Sequence, residues 1–327
     1  MKKKAFILTE ILTGLALQSL FVLTLFGAFY MLLSFSTSTQ QILAAHDEGQ
    51  NVISYIDNRI RNAGIGMWAC ETPQKIAKAF LKIKQIKSLP LPVAITTTAT
   101  RDMNTSVSKD GIYKGNVLTL LYAHKDRGTS GMIAYNDTMT TDTIDTVTNS
   151  PSKNNFWLLG GTISSNFNIG KYEDIRSYAV IESTGVPVFL SSKKSRDILI
   201  AAPAEDFNGA EIHPMSELLN LECERLYTGQ SSGEDSLMIR SLGDDGTWNA
   251  HTPHTKGILE IYMELDTNPD VPVLDLRVLV SEGKSDGKTP QPEDWPDDYW
   301  KPEFSEHKLH VSRATWKLYN LAPLKYN

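Results

Sequence analysis

Between Ala5 and Ala45 the chain carries one charged residue, Glu10, in a run that is otherwise uncharged. A helix needs about 20 apolar residues to cross a bilayer, and the stretch Ile11–Leu33 supplies them. The pattern then changes character. From Ser34 to Asn62 there is no proline and glycine occurs only at Gly49, while Val52, Ile53, Ile56, Ile60 and Ala63 keep an apolar stripe near the 3.6-residue period. Gly64 and Gly66 follow as a stop signal. The pattern predicts one helix from Phe6 to Asn62, about 85 Å long at 1.5 Å per residue. Its first half is apolar all round and its second half amphipathic, so the second half must lie on something. Gly14 and Gly27 weaken the apolar half locally; they serve either close helix packing or local stretching.

Beyond residue 66 the apolar positions shift to short runs of β-formers. Val117–Ala123, Ile175–Ile181, Asp197–Ala202, Leu237–Ser241, Ile258–Leu265, Val273–Val280 and Lys308–Leu318 read as strands. Asp110-Gly111, Gly160-Gly161 and Gly243-Asp-Asp-Gly246 read as turns between them. Lys75–Lys87 has the spacing of a short basic helix, with Ile76, Phe80, Ile83 and Ile86 on one face. Thr96–Lys109 and Tyr135–Asn155 read as exposed loops. Gly283–Pro302, with Pro290, Pro292, Pro296 and Pro302, reads as a long surface excursion whose Trp295, Tyr299 and Trp300 either form a binding patch or cover a sheet. Strands that follow one long helix make the class α+β.

Charge and chemistry narrow the function classes. The net charge is −6 and no basic block occurs beyond the first residues, which argues against a nucleic-acid partner. Two cysteines, Cys70 and Cys223, are too few for a metal cluster; in an oxidising exterior they form one disulfide or remain two buried thiols. There is no GxSxG, HExxH, P-loop or GxGxxG pattern, so no enzyme is expected, and no cofactor. His251 and His254 flank Pro253 and read as loop histidines. His307 and His310, in a strand, point to opposite faces. The acidic stretches Asp266–Asp270 and Asp244–Asp245 offer oxygen ligands without EF-hand spacing and read as solvated turns, so no metal is expected.

The first residues combine several of these signals. Lys2, Lys3 and Lys4 place that end in the cytoplasm by the positive-inside bias. A secretory signal peptide would share the basic start, but the apolar stretch is too long for one and no Ala-x-Ala follows it. Lys2–Lys4, then Ala5, Phe6 and, fifth from that Phe, Glu10, all ahead of a long apolar helix, resemble the class III signal of type IV prepilins and type II secretion pseudopilins. The resemblance implies cleavage by a prepilin peptidase between Ala5 and Phe6, N-methylation of Phe6, and pairing of Glu10 with the amino terminus of a neighbouring subunit. Such a partner would answer the cost of a lone carboxylate in the membrane, roughly 2.5–3.5 kcal/mol at the bilayer centre. The alternative is that Glu10 sits near the cytoplasmic interface.

A second resemblance lies at the helix end. Tyr55-Ile-Asp-Asn-Arg-Ile-Arg-Asn-Ala-Gly-Ile-Gly-Met-Trp-Ala-Cys70 is similar to the region after the long helix in PilW-like minor pilins, and Ala314-Thr-Trp-Lys-Leu-Tyr-Asn-Leu321 resembles their terminal strand. The resemblance implies a pilin-like fold: a leader over residues 1–5, a transmembrane and filament-core helix over 6–35, its amphipathic continuation over 36–66, and a β-rich head over 67–327. It implies a single-pass inner-membrane protein with its N-terminus in the cytoplasm, extracellular once assembled. The implied partners are other minor and major pilins, the prepilin peptidase and the inner-membrane assembly platform. In the family a subunit at the extreme tip often lacks the glutamate, so Glu10 implies a place close behind another minor subunit. A J-type minor pseudopilin of a type II secretion system, and a bitopic binding protein or enzyme with an uncleaved anchor, remain open alternatives.

Overall fold

The computed structural model describes residues 2–67, 92–96, 114–123, 131–134, 139–140, 146–147, 156–159, 162–163, 178–181, 186–192, 198–201, 211–212, 216–243, 248–268 and 270–322. One helix, α1, runs from Lys2 to Ile60 over 59 residues, about 88 Å at 1.5 Å per residue. It ends two residues before the expected Asn62. The stop is glycine-made: Gly64 and Gly66 both adopt φ of +75°, a conformation costly for any residue with a Cβ. Space forbids a side chain there as well, since a Cβ on Gly64 would lie 2.5 Å from Leu321 Cδ2 and 3.2 Å from the Asn320 carbonyl oxygen. Gly64→Ala is therefore expected to destabilise the protein by at least about 2 kcal/mol, read as a lowered thermal midpoint of the detergent-solubilised chain.

The remaining described elements are almost all antiparallel strands, so the architecture is α+β. Eight strands carry the argument: β1 (Val93–Thr96), β2 (Lys114–Ala123), β3 (Ser216–Ser231), β4 (Glu234–Ser241), β5 (Thr252–Lys256), β6 (Ile258–Asp266), β7 (Val273–Lys284) and β8 (His307–Lys317). The order β1-β2-β3-β4-β5 forms one part of a large sheet. The first residues of β3 continue it through Tyr178–Ile181, Val186–Ser192, Ile198–Ala201 and Phe156–Leu159. A second sheet has the order β6-β7-β8.

The core lies where the lower half of α1 and the two sheets meet. Val52, Ile56 and Ile60 of the helix pack with Leu118 and Leu120 of β2, Ile261 and Met263 of β6, Leu274, Leu276 and Val278 of β7, and Trp316 of β8. Gly49 lets the helix touch the sheet: a Cβ there would stand 2.8 Å from Ser312 Cβ.

The opposite face of the β6-β7-β8 sheet is also covered. Trp295 and Phe304, from the proline-rich segment between β7 and β8, pack on Leu259 and Leu279, and the Trp295 indole N–H donates to the Tyr299 carbonyl at 3.2 Å. The excursion is thus a strap over the sheet, which resolves the two readings of its aromatics.

Three further expectations are corrected. β3 is a 16-residue strand that no expected strand covered. His254 lies in β5 rather than in a loop, whereas His251 precedes the strand; among the described residues β5 pairs only with β4, and Pro253 faces Met238 where the register shifts, an edge-and-bulge position at which a missing N–H is tolerated. Within Tyr135–Asn155 the pairs Met139–Thr140 and Thr146–Val147 are strands. The expected helix Lys75–Lys87 and the expected loop Thr96–Lys109, after Thr96, lie outside the described residues, as does Cys70.

Candidate functional site: the exposed helix and its seat

Every residue of α1 from Glu10 to Thr37 is exposed, and the first to be buried is Ala45. This half carries large apolar side chains facing outward on all sides, among them Leu17, Phe21, Phe26, Tyr30 and Met31. It is the one helix among the described residues long and apolar enough to cross a membrane. Its hydroxyls are served from within: Thr13 donates to the Glu10 carbonyl at 3.0 Å, Ser19 to Ala16 at 2.8 Å, Thr24 to Phe21 at 2.8 Å and Thr37 to Leu33 at 2.7 Å. Such back-bonding satisfies polar groups where water is scarce. Glu10 is the exception, an exposed carboxylate on an apolar rod. The Ala5–Phe6 peptide bond lies within the same helix.

The lower half is seated by a polar network built on Arg59. Its Nε donates to Glu224 Oε2 at 2.6 Å, an Nη donates to the Tyr55 carbonyl at 3.1 Å, and the guanidinium lies 3.4 Å from the centroid of the Tyr55 ring. Tyr55 Oη donates to the same Glu224 oxygen at 3.0 Å. Glu224, on β3, is 7% exposed. Burial works against the Arg59 charge, but Tyr122, Glu224 and Tyr55 together hold its pKa above the usual value. Burial and the Glu224 charge push the Tyr55 phenol upward, so it stays a neutral donor.

One turn on, Asp57 accepts from Arg61 Nε at 2.8 Å and from the Trp316 indole N–H at 2.7 Å, and Asn320 Nδ2 caps the Arg61 carbonyl at 2.8 Å. The Arg61 hydrogen bond, helped by Trp316 and opposed by partial burial, holds the Asp57 carboxyl below its usual value of 3.8. A depressed carboxyl contributes stability above its unfolded pKa and loses it as pH falls through the folded one. The thermal midpoint should therefore be insensitive to this group above about pH 5 and fall below pH 3.8; in Asp57→Asn that component of the acid fall should vanish.

The other candidates fall apart as sites. His254 stacks on Tyr55 at 4.3 Å and His251 bonds Tyr227 on the sheet. His310 meets His46 of the helix with ring centroids 5.6 Å apart, while His307 bonds Ser281 Oγ at 2.8 Å. Asp266 spends Oδ1 on the N–H and the amide of Asn268. Asp244–Asp245 lie outside the described residues. Among the described residues no group of three metal-ligating side chains forms. Among the described residues Cys223 has no disulfide partner, its expected partner Cys70 lying outside them, and burial pushes its thiol up to about 12.

No family model, no curated protein and no solved structure matches the chain. The sequence reading missed the Glu224 anchor. Its signal was Arg59 itself, a cation beside the stripe of Ile56, Ile60 and Ala63, which calls for a buried acid on whatever the helix lies against.

Proposed function

We propose that the chain is a minor pilin subunit of a type IV pilus, PilW-like in kind, stored in the inner membrane and inserted into the filament through α1. The observation that carries the reading is a helix half exposed on every side, with a lone carboxylate at Glu10, four residues beyond the Ala5–Phe6 junction. A single bilayer-spanning anchor would explain the apolar surface but not the acid. A bundle of like helices explains both, because each carboxylate meets a neighbour's new amino terminus. In this reading the presence of Glu10 supports a position close behind another minor subunit, as the family resemblance implies, and the large β-rich head suits an initiating position better than a repeating one. The chain acts by assembly, with pilins, the prepilin peptidase and the assembly platform as partners.

Mass spectrometry of the membrane-extracted protein tests the reading. The expected N-terminus is Phe6, N-methylated, with the apolar helix retained. An intact Met1 in a strain that carries the peptidase would leave an ordinary bitopic protein.

A further inference from the structure

Strand β8 pairs with β7 along its length and with nothing on its other side among the described residues. In an antiparallel ladder alternate residues turn their N–H and C=O outward. An edge of 11 residues therefore offers about five such residues to a further strand. The edge runs alongside α1: His310 meets His46, Ser312 meets Gly49 and Trp316 meets Asp57. At its far end, between the last helical turn and the strand's end, is a cleft of about 410 Å³ lined by Arg61, Trp316, Lys317, Tyr319 and Asn320 among others.

The charge of this edge is opposite to that of the chain. The whole protein carries a net −6, yet β8 holds Lys308, Arg313 and Lys317 and no acid. Arg313 is held by Asp275 at 3.1 Å, and Arg61 in the cleft by Asp57 at 2.8 Å. Lys308 and Lys317 are exposed and have no ion-pair partner among the described residues. They stand near the two ends of the strand, about 30 Å apart at the rise of an extended chain. A second copy of this chain is a poor occupant: antiparallel self-pairing would set one edge carrying Lys308, Arg313 and Lys317 and no acid against another like it, and like charges repel.

We propose that the β8 edge is a docking site for an extended acidic segment of a different protein chain, which adds as a fourth strand, sets carboxylates against Lys308 and Lys317 and seats a side chain in the cleft. The mode is strand addition: backbone hydrogen bonds supply affinity and the two lysines supply register. The inference does not depend on the pilin reading. Lysines placed only to keep an edge from aggregating would attract any acidic peptide, whatever its backbone, and that difference is measurable.

The test uses the full chain in dodecyl maltoside micelles and fluorescence anisotropy of labelled ten-residue peptides: one of six Thr with Glu-Glu at each end, so that carboxylates reach both faces as Lys308 and Lys317 do, the same peptide with every second amide N-methylated in either phase, and one with Lys in place of each Glu. The acidic peptide should bind. The lysine peptide and at least one N-methylated phase should bind at least tenfold more weakly. Lys308→Glu with Lys317→Glu should weaken the acidic peptide at least tenfold while leaving the thermal midpoint unchanged. No binding of the acidic peptide, equal binding by both N-methylated phases, or indifference to the double charge reversal would overturn the proposal.

Discussion

Glu224→Ala should loosen α1 from the sheets and lower stability by about 3 kcal/mol, the scale for stranding one member of a buried ion pair. The cost follows from what stays behind. Arg59, with a side chain 22% exposed, would keep its carbonyl and ring contacts to Tyr55 but lose its carboxylate partner, and the Tyr55 hydroxyl would lose its acceptor. Glu224→Gln keeps an acceptor without the charge and should cost less. Arg59→Leu combined with Glu224→Leu should cost less than the sum of the single changes, because neither charge remains to be stranded. Denaturant unfolding of the chain in micelles measures each of these variants. A loss below about 0.5 kcal/mol for Glu224→Ala would put this pair with exposed surface bridges, which contribute little.

Glu10→Ala should leave insertion, head folding and thermal midpoint unchanged and sharply reduce recruitment into pili. Glu10 is exposed, and among the described residues its carboxylate has no hydrogen-bond or ion-pair partner, so no structural loss is expected. In an apolar bundle without water an unpaired carboxylate is costly, and in the proposed filament its partner is a neighbour's amino terminus. Glu10→Gln, which keeps hydrogen-bonding capacity, should be intermediate. Counting pili and blotting sheared filaments measures the effect. Wild-type piliation by Glu10→Ala would return Glu10 to the role of a tolerated interfacial charge.

How much of this was legible in the sequence depended on how local the cause was. The helix was legible because its determinants are a long uncharged run, a 3.6-period stripe and a glycine stop at Gly64 and Gly66, all local. Strands β6, β7 and β8 were found because each is a short run of β-formers, and in β7 one face is also apolar at a period of two, as in Leu274, Leu276, Val278 and Val280. β3 was not found because it is buried on both faces and its charges are internal: Glu224 belongs to Arg59, 165 residues away. Local propensity cannot announce a partner so distant. β5 was hidden by Pro253, whose tolerance depends on being at an edge, a property of the sheet rather than of the segment. The strap was seen as an excursion because four prolines dominate its composition; what decides its place is Trp295, whose partners Leu259 and Leu279 lie on two other strands.

The alignment of β8 with α1 has a mechanical consequence. The contacts His46–His310, Gly49–Ser312 and Asp57–Trp316 climb the helix and the strand in the same direction, so the ladder joining β8 to β7 lies lengthwise beside the rod. A tensile force applied to the apolar half and resisted at the head would load the seat and that ladder in shear. Many contacts would then share the strain at once instead of failing one after another from a peeled end. Pulled along its axis, the joint is expected to yield at a higher force than under a sideways load on the rod, which would pry it open from Ala45 upward.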